Sequence, residues 1–207
     1  MQLTQAHRDA LHDVLLWRRD VRHFSTDPVP DDVLARLRTA MDLAPSVGNA
    51  RPWRVLQVKT PALRDQIIAN FEAENEKAGA IYDENTRETY ASLKLAGLRD
   101  APVHLAVFTE NQPDEGRGLG RQTMPEMLCY SSVTAIYTLW LAARAENLGL
   151  GWVSILDPVA VAETLGAPDH WQLTGYLCLG KATLDTDTPL LHDNDWQKNT
   201  PTNWQEV

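Results

Sequence analysis

Three arginines and one aspartate fall within five consecutive residues near the start of the chain, in the stretch RRDVR. The guanidinium groups of Arg18, Arg19 and Arg22 are planar forks of donors, which suit bidentate contact with a phosphate or a carboxylate. Asp20 lies among them, either as their counter-ion or as a carboxylate that is kept ionised for acid–base chemistry. Taken alone, the cluster indicates either a site for a small anion or a solvated helix end whose arginines compensate the helix dipole.

The overall charge narrows the choice of anion. The chain has 207 residues and a formal net charge of −9, with 43% hydrophobic and 23% charged residues, which is a globular composition. An acidic chain is poorly suited to nucleic acid or to an anionic membrane surface, because both require a basic face. The N-terminus has no secretory signal pattern, and no apolar run approaches the roughly 20 residues of a membrane span. We therefore expect a cytoplasmic protein whose local basic cluster binds one small anion.

A second candidate site lies in the stretch APSVGNARPW, residues 44–53. Pro45 ends a predicted helix, and Ser46, Gly48 and Asn49 precede a predicted strand. Small polar residues of this kind allow a loop to approach a planar polar ligand closely. The same residues are typical of an ordinary helix-to-strand turn, so this motif alone leaves both interpretations open.

The third stretch, GLGWVSIL at residues 149–156, excludes several common sites. Its glycines lack the spacing of a dinucleotide-binding motif or a phosphate loop. Ser154 lies in a predicted strand that is otherwise apolar. It lacks the surrounding Gly-x-Ser-x-Gly motif of an acyl-transfer serine, so a nucleophilic role is unfavourable. A buried hydroxyl whose hydrogen bonds are satisfied within the core is the alternative to a functional role. The six histidines show no paired ligand spacing, and we predict no metal site. Cys129 and Cys178 lie in apolar stretches and are expected to be free, buried thiols.

The hydrophobic pattern predicts helices that alternate with strands. Helices are predicted over residues 5–19, from residues 30–32 to Pro45, over residues 61–99 and 125–149, and over a short segment after residue 156; strands are predicted over residues 53–59, 104–110, 150–156 and 171–182. Strands separated by long helices favour a mixed or parallel sheet covered by a helical layer. We expect a single domain over residues 1–207.

Three segments are expected to lie at a surface or an interface. The helix over residues 125–149 is apolar almost all round, so it should be buried by its own domain or by a partner subunit. The charge-rich region at residues 72–95 is predicted to be a solvated helix pair, a mobile lid over a site, or both. The tail, residues 185–207, carries Trp196 and Trp204 without a predicted helix. We expect it to dock on a second subunit, because exposed large aromatics mark interaction surfaces.

In this order, the stretches RRDVR, APSVGNARPW, APVHLAVF and GLGWVS resemble the motifs of the nitroreductase-like FMN flavoproteins over nearly the whole chain. The resemblance implies an α+β fold with a central mixed sheet flanked by helices, assembled as an intertwined homodimer with the flavin at the subunit interface. It implies that the arginine cluster holds the phosphate and the pyrimidine edge of FMN, and that the loop at residues 46–49 lies along the flavin. Arg51 stands where the family loop usually has glutamine. The residues implied to contact the flavin are Arg18, Arg19, Asp20, Val21, Arg22, Ser46, Asn49, Leu98 and Ser154.

The stretches at residues 120–156 and 171–182 are similar to one branch of this family, in which reduced FMN is a substrate rather than a permanently bound cofactor. This closer resemblance implies a reaction of reduced FMN with dioxygen that yields 5,6-dimethylbenzimidazole, the lower ligand of vitamin B12, and a four-carbon sugar phosphate. A separate flavin reductase would supply the reduced FMN. In this hypothesis Asp20 transfers protons, Ser154 forms a hydrogen bond near the reactive edge of the flavin, and the lid excludes water.

Two other functions remain open at the level of sequence. The first is an FMN reductase that takes hydride from NAD(P)H and passes it to a nitroaromatic or a quinone, since it would share the arginine cluster and the loop at residues 46–49. The second is a protein that stores or senses flavin without turnover. The long match at residues 120–156 favours fragmentation of the flavin over the reductase.

Overall fold

The structure is a computed structural model that describes residues 1–93 and 95–207. Its helices are α1 (Gln5–Trp17), α2 (Asp31–Met41), α3 (Pro61–Gly79), α4 (Glu84–Ser92), α5 (Met127–Ala145), α6 (Pro158–Thr164) and α7 (Leu190–Asp193). Its strands are β1 (Trp53–Gln57), β2 (Val103–Glu110), β3 (Gly149–Val153) and β4 (Trp171–Gly180), with 3₁₀ turns at Val47–Asn49 and Glu115–Gly118. The predicted helices and strands are thus present in the predicted order. The predicted lid comprises the end of α3 and all of α4, and its residue 94 lies outside the described residues.

The four strands form one sheet in the order β1–β2–β4–β3. All three strand pairs are antiparallel. The sequence pattern favoured a mixed or parallel sheet, but the parallel part is confined to a bridge between Asp20 and Leu150 beside β3. The long connection through α3 and α4 returns the chain to the end of the sheet where β1 finished, so β2 runs back alongside β1. The prediction of parallel strands from long helical connections was therefore wrong for this sheet.

Two hydrophobic clusters cover the two faces of the sheet. Along β2, Val103 and Val107 belong to the cluster that includes residues of α2 and α5, whereas Ala106 and Phe108 belong to the cluster that includes residues of α3 and α6. This division follows from strand geometry, because successive side chains point to opposite faces.

The most apolar helix, α5, is buried on one side only. Ile136 and Leu139 lie in the core, whereas Tyr130, Val133 and Tyr137 are exposed. Helix α1, which packs beside α5, has no buried residue at all. The two helices therefore leave apolar side chains uncovered in a single chain, as expected for a surface that a partner covers.

Two local features differ from the sequence prediction. Ser154 follows the last residue of β3 and is exposed, whereas the pattern placed it inside a buried strand. The tail contains a short helix, α7, that was not predicted. Trp196 of the tail contacts Tyr82 and Tyr90 of its own chain, with ring centroids 5.6 and 6.2 Å apart.

Two further sequence predictions concern membrane spans and thiols. None of the described helices is long and apolar enough to cross a membrane. Both cysteines are free, with Cys178 buried and Cys129 half-buried. The prediction of buried free thiols is thus confirmed for Cys178, and Cys129 is free but less deeply placed.

A buried histidine lies on the α3 side of the sheet. His104 on β2 is fully buried, and its Nδ1 atom is 3.0 Å from the hydroxyl of Tyr176 on β4. Burial and, to a smaller extent, the positive charge of Arg64 lower the pKa of His104 to about 4. The imidazole is therefore neutral in the folded chain at neutral pH.

We predict that folding stability falls as the pH is lowered from 6.5, the ordinary pKa of histidine, to about 4. In this window the unfolded chain binds a proton at His104 that the folded chain excludes. The free energy of unfolding should therefore decrease with falling pH, by about 3 kcal/mol over the whole window. Denaturant unfolding at several pH values measures this for the parent and for His104→Gln. The parent should show the steeper dependence, and equal slopes would contradict a buried, neutral His104.

Candidate functional site

Two glycines of β3 allow the arginine segment to pack directly on the edge of the sheet. A Cβ atom on Gly151 would lie 2.1 Å from the carbonyl oxygen of Val21, and one on Gly149 would lie 2.6 Å from the Val21 side chain. The backbone nitrogen of Val21 donates to the carbonyl oxygen of Leu150 at 3.0 Å. The GLG sequence thus positions the arginine segment by leaving room for its backbone.

Both carboxylate oxygens of Asp20 are held by the fold. Oδ1 accepts a hydrogen bond from the backbone nitrogen of Trp152 at 2.9 Å, and Oδ2 accepts one from Nε of Arg22 at 3.1 Å. The Asp20 side chain is nevertheless 35% exposed, against 12% for Arg22. The carboxylate therefore has a fixed direction and remains accessible. These contacts are compatible with both sequence interpretations, a counter-ion of Arg22 and a proton-transfer group.

Arg18 and Arg19 contact aromatic rings and backbone carbonyls. The Cζ atom of Arg18 lies 5.0 Å from the ring centroid of Trp140, whose Nε1 donates to the carbonyl oxygen of Arg19 at 3.0 Å. The guanidinium of Arg19 donates to the carbonyl oxygen of Leu16. The Nε atoms of Arg18 and Arg19 are buried and have no hydrogen-bond partner among the described residues. An unpaired buried donor is costly, so the arginine segment carries a local energetic penalty in the free chain.

The arginine segment forms one wall of a cleft of about 220 Å³. The opposite wall comes from the chain after β4, and we call residues 184–196 the strap. Leu184, Thr186 and residues 189–191 of the strap line the cleft. Burial and the neighbouring Arg18 lower the pKa of Arg19, and Asp187 of the strap opposes this shift. The cleft thus combines concentrated positive charge with a mainly apolar wall, which suits a phosphate group on a larger molecule.

The loop at residues 46–49 is a tight turn that packs against α5. Ser46 Oγ accepts a hydrogen bond from the backbone nitrogen of Arg51 at 3.0 Å, and the backbone nitrogen of Val47 donates to Ser131 Oγ at 3.0 Å. Asn49 has a φ of +56°, a left-handed conformation that asparagine tolerates better than most residues. The loop is therefore ordered by its own contacts and leaves Asn49 exposed.

Arg51 contacts residues on both sides of the loop. Its Nη2 donates to Asp42 Oδ1 at 2.5 Å, and its Cζ lies 5.7 Å from the ring centroid of Trp53. Both partners flank the loop, so Arg51 contributes to the shape of the turn.

Within one chain, the loop and the arginine cluster are separated. The loop meets α5 at Ser131 and Arg18 meets it at Trp140, positions about 13 Å apart along the axis at the helical rise of 1.5 Å per residue. Among the described residues, the lining of the arginine cleft includes neither Ser46 nor Asn49. A single chain therefore does not bring these predicted site residues together.

Leu98 and Ser154 also lie apart from the cleft lining. Leu98 is buried in the same hydrophobic cluster as Phe24 and borders a different cavity, next to Phe71 of α3. Ser154 is exposed two positions beyond Trp152, whose backbone nitrogen holds Asp20. Of the two, only Ser154 is linked through β3 to the arginine segment.

Neither the strap nor the aromatic support of the arginines was predicted from the sequence. Trp140 and Trp152 were interpreted only as part of an apolar helix and an apolar strand, and residues 184–196 were not predicted to face the arginines. One signal was available: the acidic residues Asp185 and Asp187 directly follow a strand and complement the basic cluster. In the structure the charge of Asp187 opposes the lowering of the pKa of Arg19 by burial and by Arg18, whereas Asp185 pairs with Arg144 of α5 at 3.1 Å.

The sequence is similar to known proteins over nearly its whole length. The profile of the nitroreductase family matches residues 15–181. A protein from Rhodobacter capsulatus named 5,6-dimethylbenzimidazole synthase is 56% identical over 205 residues, which cover 99% of each chain. A protein of the same name from Rhodospirillum rubrum is 49% identical over 194 residues, covering 94% of this chain and 92% of that protein.

Solved structures agree on the fold. The crystal structure of oxidised iodotyrosine deiodinase bound to FMN and 3-iodo-L-tyrosine matches with a TM-score of 0.72 at 23% sequence identity. The match covers 95% of this chain and 97% of that chain. The α+β nitroreductase-like fold expected from the sequence is confirmed.

Proposed function

The chain belongs to the nitroreductase family, and we propose that it consumes reduced FMN as a substrate. In the proposed reaction, reduced FMN and dioxygen give 5,6-dimethylbenzimidazole, for the lower ligand of vitamin B12, and a four-carbon sugar phosphate. The near-full-length similarity to two proteins named 5,6-dimethylbenzimidazole synthase supports this choice over a nitroaromatic or quinone reductase.

The observation that carries the proposal is the cleft between the arginine segment and the strap. Arg18 and Arg19 line this cleft, and their guanidinium groups would supply the donors that a dianionic phosphate requires. The apolar strap opposite them lowers the local dielectric, which strengthens charge–charge contacts. The residues present therefore fit the phosphate end of FMN.

Several side chains of the protein would each have a separate role in this reaction. Reduced FMN supplies the electrons that dioxygen accepts. Arg18 and Arg19 bind the phosphate, while Arg22 lies beside Asp20 at the ring edge. Asp20, aimed by the backbone nitrogen of Trp152, accepts and returns protons as the ring is opened. The Ser154 hydroxyl, at the end of the same strand, directs the reaction by a hydrogen bond at the reactive edge.

We further propose that the active form is a homodimer. In one chain the loop at residues 46–49 lies away from the arginine cleft, so the loop of a second copy would complete the flavin site. Trp204 in the tail is 89% exposed and would dock on that copy. The exposed apolar side chains of α1 and α5 include Leu11, Leu15, Leu16, Tyr130, Val133 and Tyr137.

We predict a dimer by sedimentation velocity at micromolar concentration. Leu15→Glu should lower the sedimentation coefficient to that of a monomer, because the interface would then bury an unpaired charge. Val159→Glu is a matched control, since Val159 is an exposed apolar residue on α6. A parent protein that sediments as a monomer would contradict the assembly.

Three further elements complete the proposal. The end of α3 and α4 act as a lid that keeps water from the flavin while oxygen reacts. A separate flavin reductase delivers the reduced FMN, and the reaction takes place in the cytoplasm.

The experiment that tests the function follows the fate of the flavin. Purified protein is mixed anaerobically with reduced FMN, oxygen is admitted, and small molecules are identified by mass spectrometry. The proposal predicts 5,6-dimethylbenzimidazole. Tight yellow FMN with rapid NAD(P)H oxidation would identify a reductase instead, and FMN that is bound and recovered intact would identify a storage or sensing protein.

A further inference from the structure

The strap begins beside the arginine segment. Just before it, residues 181–183 pair with residues 23–25: the backbone nitrogen of Ser25 donates to the carbonyl oxygen of Lys181 at 2.8 Å, and that of Thr183 donates to the carbonyl oxygen of His23 at 3.1 Å. Asp185 then pairs with Arg144 of α5 at 3.1 Å. The first part of the strap is therefore fixed to the body of the protein.

The far end of the strap contacts the lid region. The Trp196 ring meets the Tyr82 ring edge-on, with an interplanar angle of 89° and a centroid distance of 5.6 Å, and it lies 6.2 Å from the Tyr90 ring. Tyr82 lies in the turn before α4, and Tyr90 on α4 donates from its hydroxyl to Asn75 Oδ1 of α3 at 2.6 Å. One aromatic cluster therefore joins the strap to both helices of the lid region.

We propose that Trp196 is a positioning residue, a latch that ties the wall of the arginine cleft to α4 and so couples binding at the arginines to closure of the lid. The inference rests on the proposed function and adds a control element to the same site. A ligand that fills the cleft presses on residues 184–191 of the strap, and the Trp196 contact transmits their position to Tyr82 and Tyr90. The latch touches neither the arginines nor Asp20.

The latch controls which of two reactions follows. In the competing reaction, two electrons and two protons pass from reduced FMN to dioxygen, giving intact oxidised FMN and hydrogen peroxide. That route needs no positioned group and proceeds in water, whereas fragmentation needs a closed site. Opening the latch therefore diverts reduced FMN and oxygen toward FMN and hydrogen peroxide in equal amounts.

The test compares Trp196 with an exposed apolar residue outside the latch. Trp196→Ala removes the latch, Trp196→Phe restores a ring, and Val159→Ala removes an exposed apolar side chain of α6. After a single turnover of reduced FMN with oxygen, benzimidazole, intact FMN and hydrogen peroxide are measured. Loss of the ring contact should shift the closed-to-open ratio, and with it the product ratio, by about two- to tenfold toward hydrogen peroxide. Trp196→Phe should recover most of the loss, and Val159→Ala should match the parent.

A second measurement does not depend on turnover. Amide hydrogen exchange in α4 should be faster in Trp196→Ala than in the parent or in Val159→Ala, because α4 opens more often without the latch. Unchanged exchange in α4, or an equal product shift in Trp196→Ala and Val159→Ala, would overturn the latch. A parent that forms no benzimidazole would instead refute the proposed function, and the exchange measurement would still decide the inference.

Discussion

Replacing Asp20 by asparagine is expected to change the product rather than the affinity. The Asp20→Asn side chain keeps an oxygen that can accept from the backbone nitrogen of Trp152, so reduced FMN should still bind and oxygen should still be consumed. Without the carboxylate, ring opening lacks its proton-transfer group, and benzimidazole formation should slow by about 100-fold or more. Product analysis after a single turnover should therefore show intact oxidised FMN where the parent gives benzimidazole.

Two comparison variants separate chemistry from binding. Arg18→Ala should weaken FMN binding by roughly 1.5–3 kcal/mol, the range for a hydrogen bond to a charged group, while the FMN that does bind still gives benzimidazole. Ser154→Gly should resemble Asp20→Asn. Losing a binding group changes affinity, whereas losing an acid–base group changes the partition of products. If Asp20→Asn forms benzimidazole at the parent rate, Asp20 is only the counter-ion of Arg22.

Gly151→Ala is expected to remove the arginine site as a whole. The new Cβ would lie 2.1 Å from the carbonyl oxygen of Val21, so the arginine segment must move off β3. That movement breaks the hydrogen bonds from Val21 to Leu150 and from Trp152 to Asp20. We expect a loss of about 2–4 kcal/mol in the free energy of unfolding, from one neutral and one charged hydrogen bond, and loss of measurable FMN binding.

The matched control is Gly166→Ala, just after α6. A Cβ there would meet nothing within 4 Å, but Gly166 has a φ of +65°, a left-handed conformation that costs alanine about 1–2 kcal/mol. Thermal unfolding and FMN titration of both variants measure the difference. Normal FMN binding by a folded Gly151→Ala variant would show that β3 does not position the arginines.

Much of the fold could be predicted from sequence because local patterns specify it. The alternation of Trp53 to Lys59 and the apolar run after Pro125 correspond to β1 and α5, and Gly149 marks the start of β3. Strand direction was not predictable in this way, because it depends on where a long connection re-enters the sheet. The position of Ser154 was not predictable either, since the apolar pattern continues to Leu156, three residues past Val153, the last paired residue of β3.

The candidate site was predictable where neighbours in sequence are neighbours in space. Arg18, Arg19, Asp20 and Arg22 share one cleft wall because they lie within five residues of one another in the sequence. The contacts of Asp20 with Trp152 and of Arg18 with Trp140 join residues more than a hundred positions apart, and no local pattern encodes them. The strap was not predicted, for a related reason. Its few apolar residues pack on a segment that is distant in sequence, and they form only one helical turn, so they leave no periodic pattern.

Carbon-13 tracing tests the central claim most directly. Uniformly labelled reduced FMN is mixed anaerobically with the protein, oxygen is admitted, and the label is followed by mass spectrometry. We predict that the label appears in fully labelled 5,6-dimethylbenzimidazole and in a labelled four-carbon sugar phosphate, in equal amounts. Label that remains entirely in intact oxidised FMN, after all the oxygen-reactive flavin has been consumed, would contradict the account.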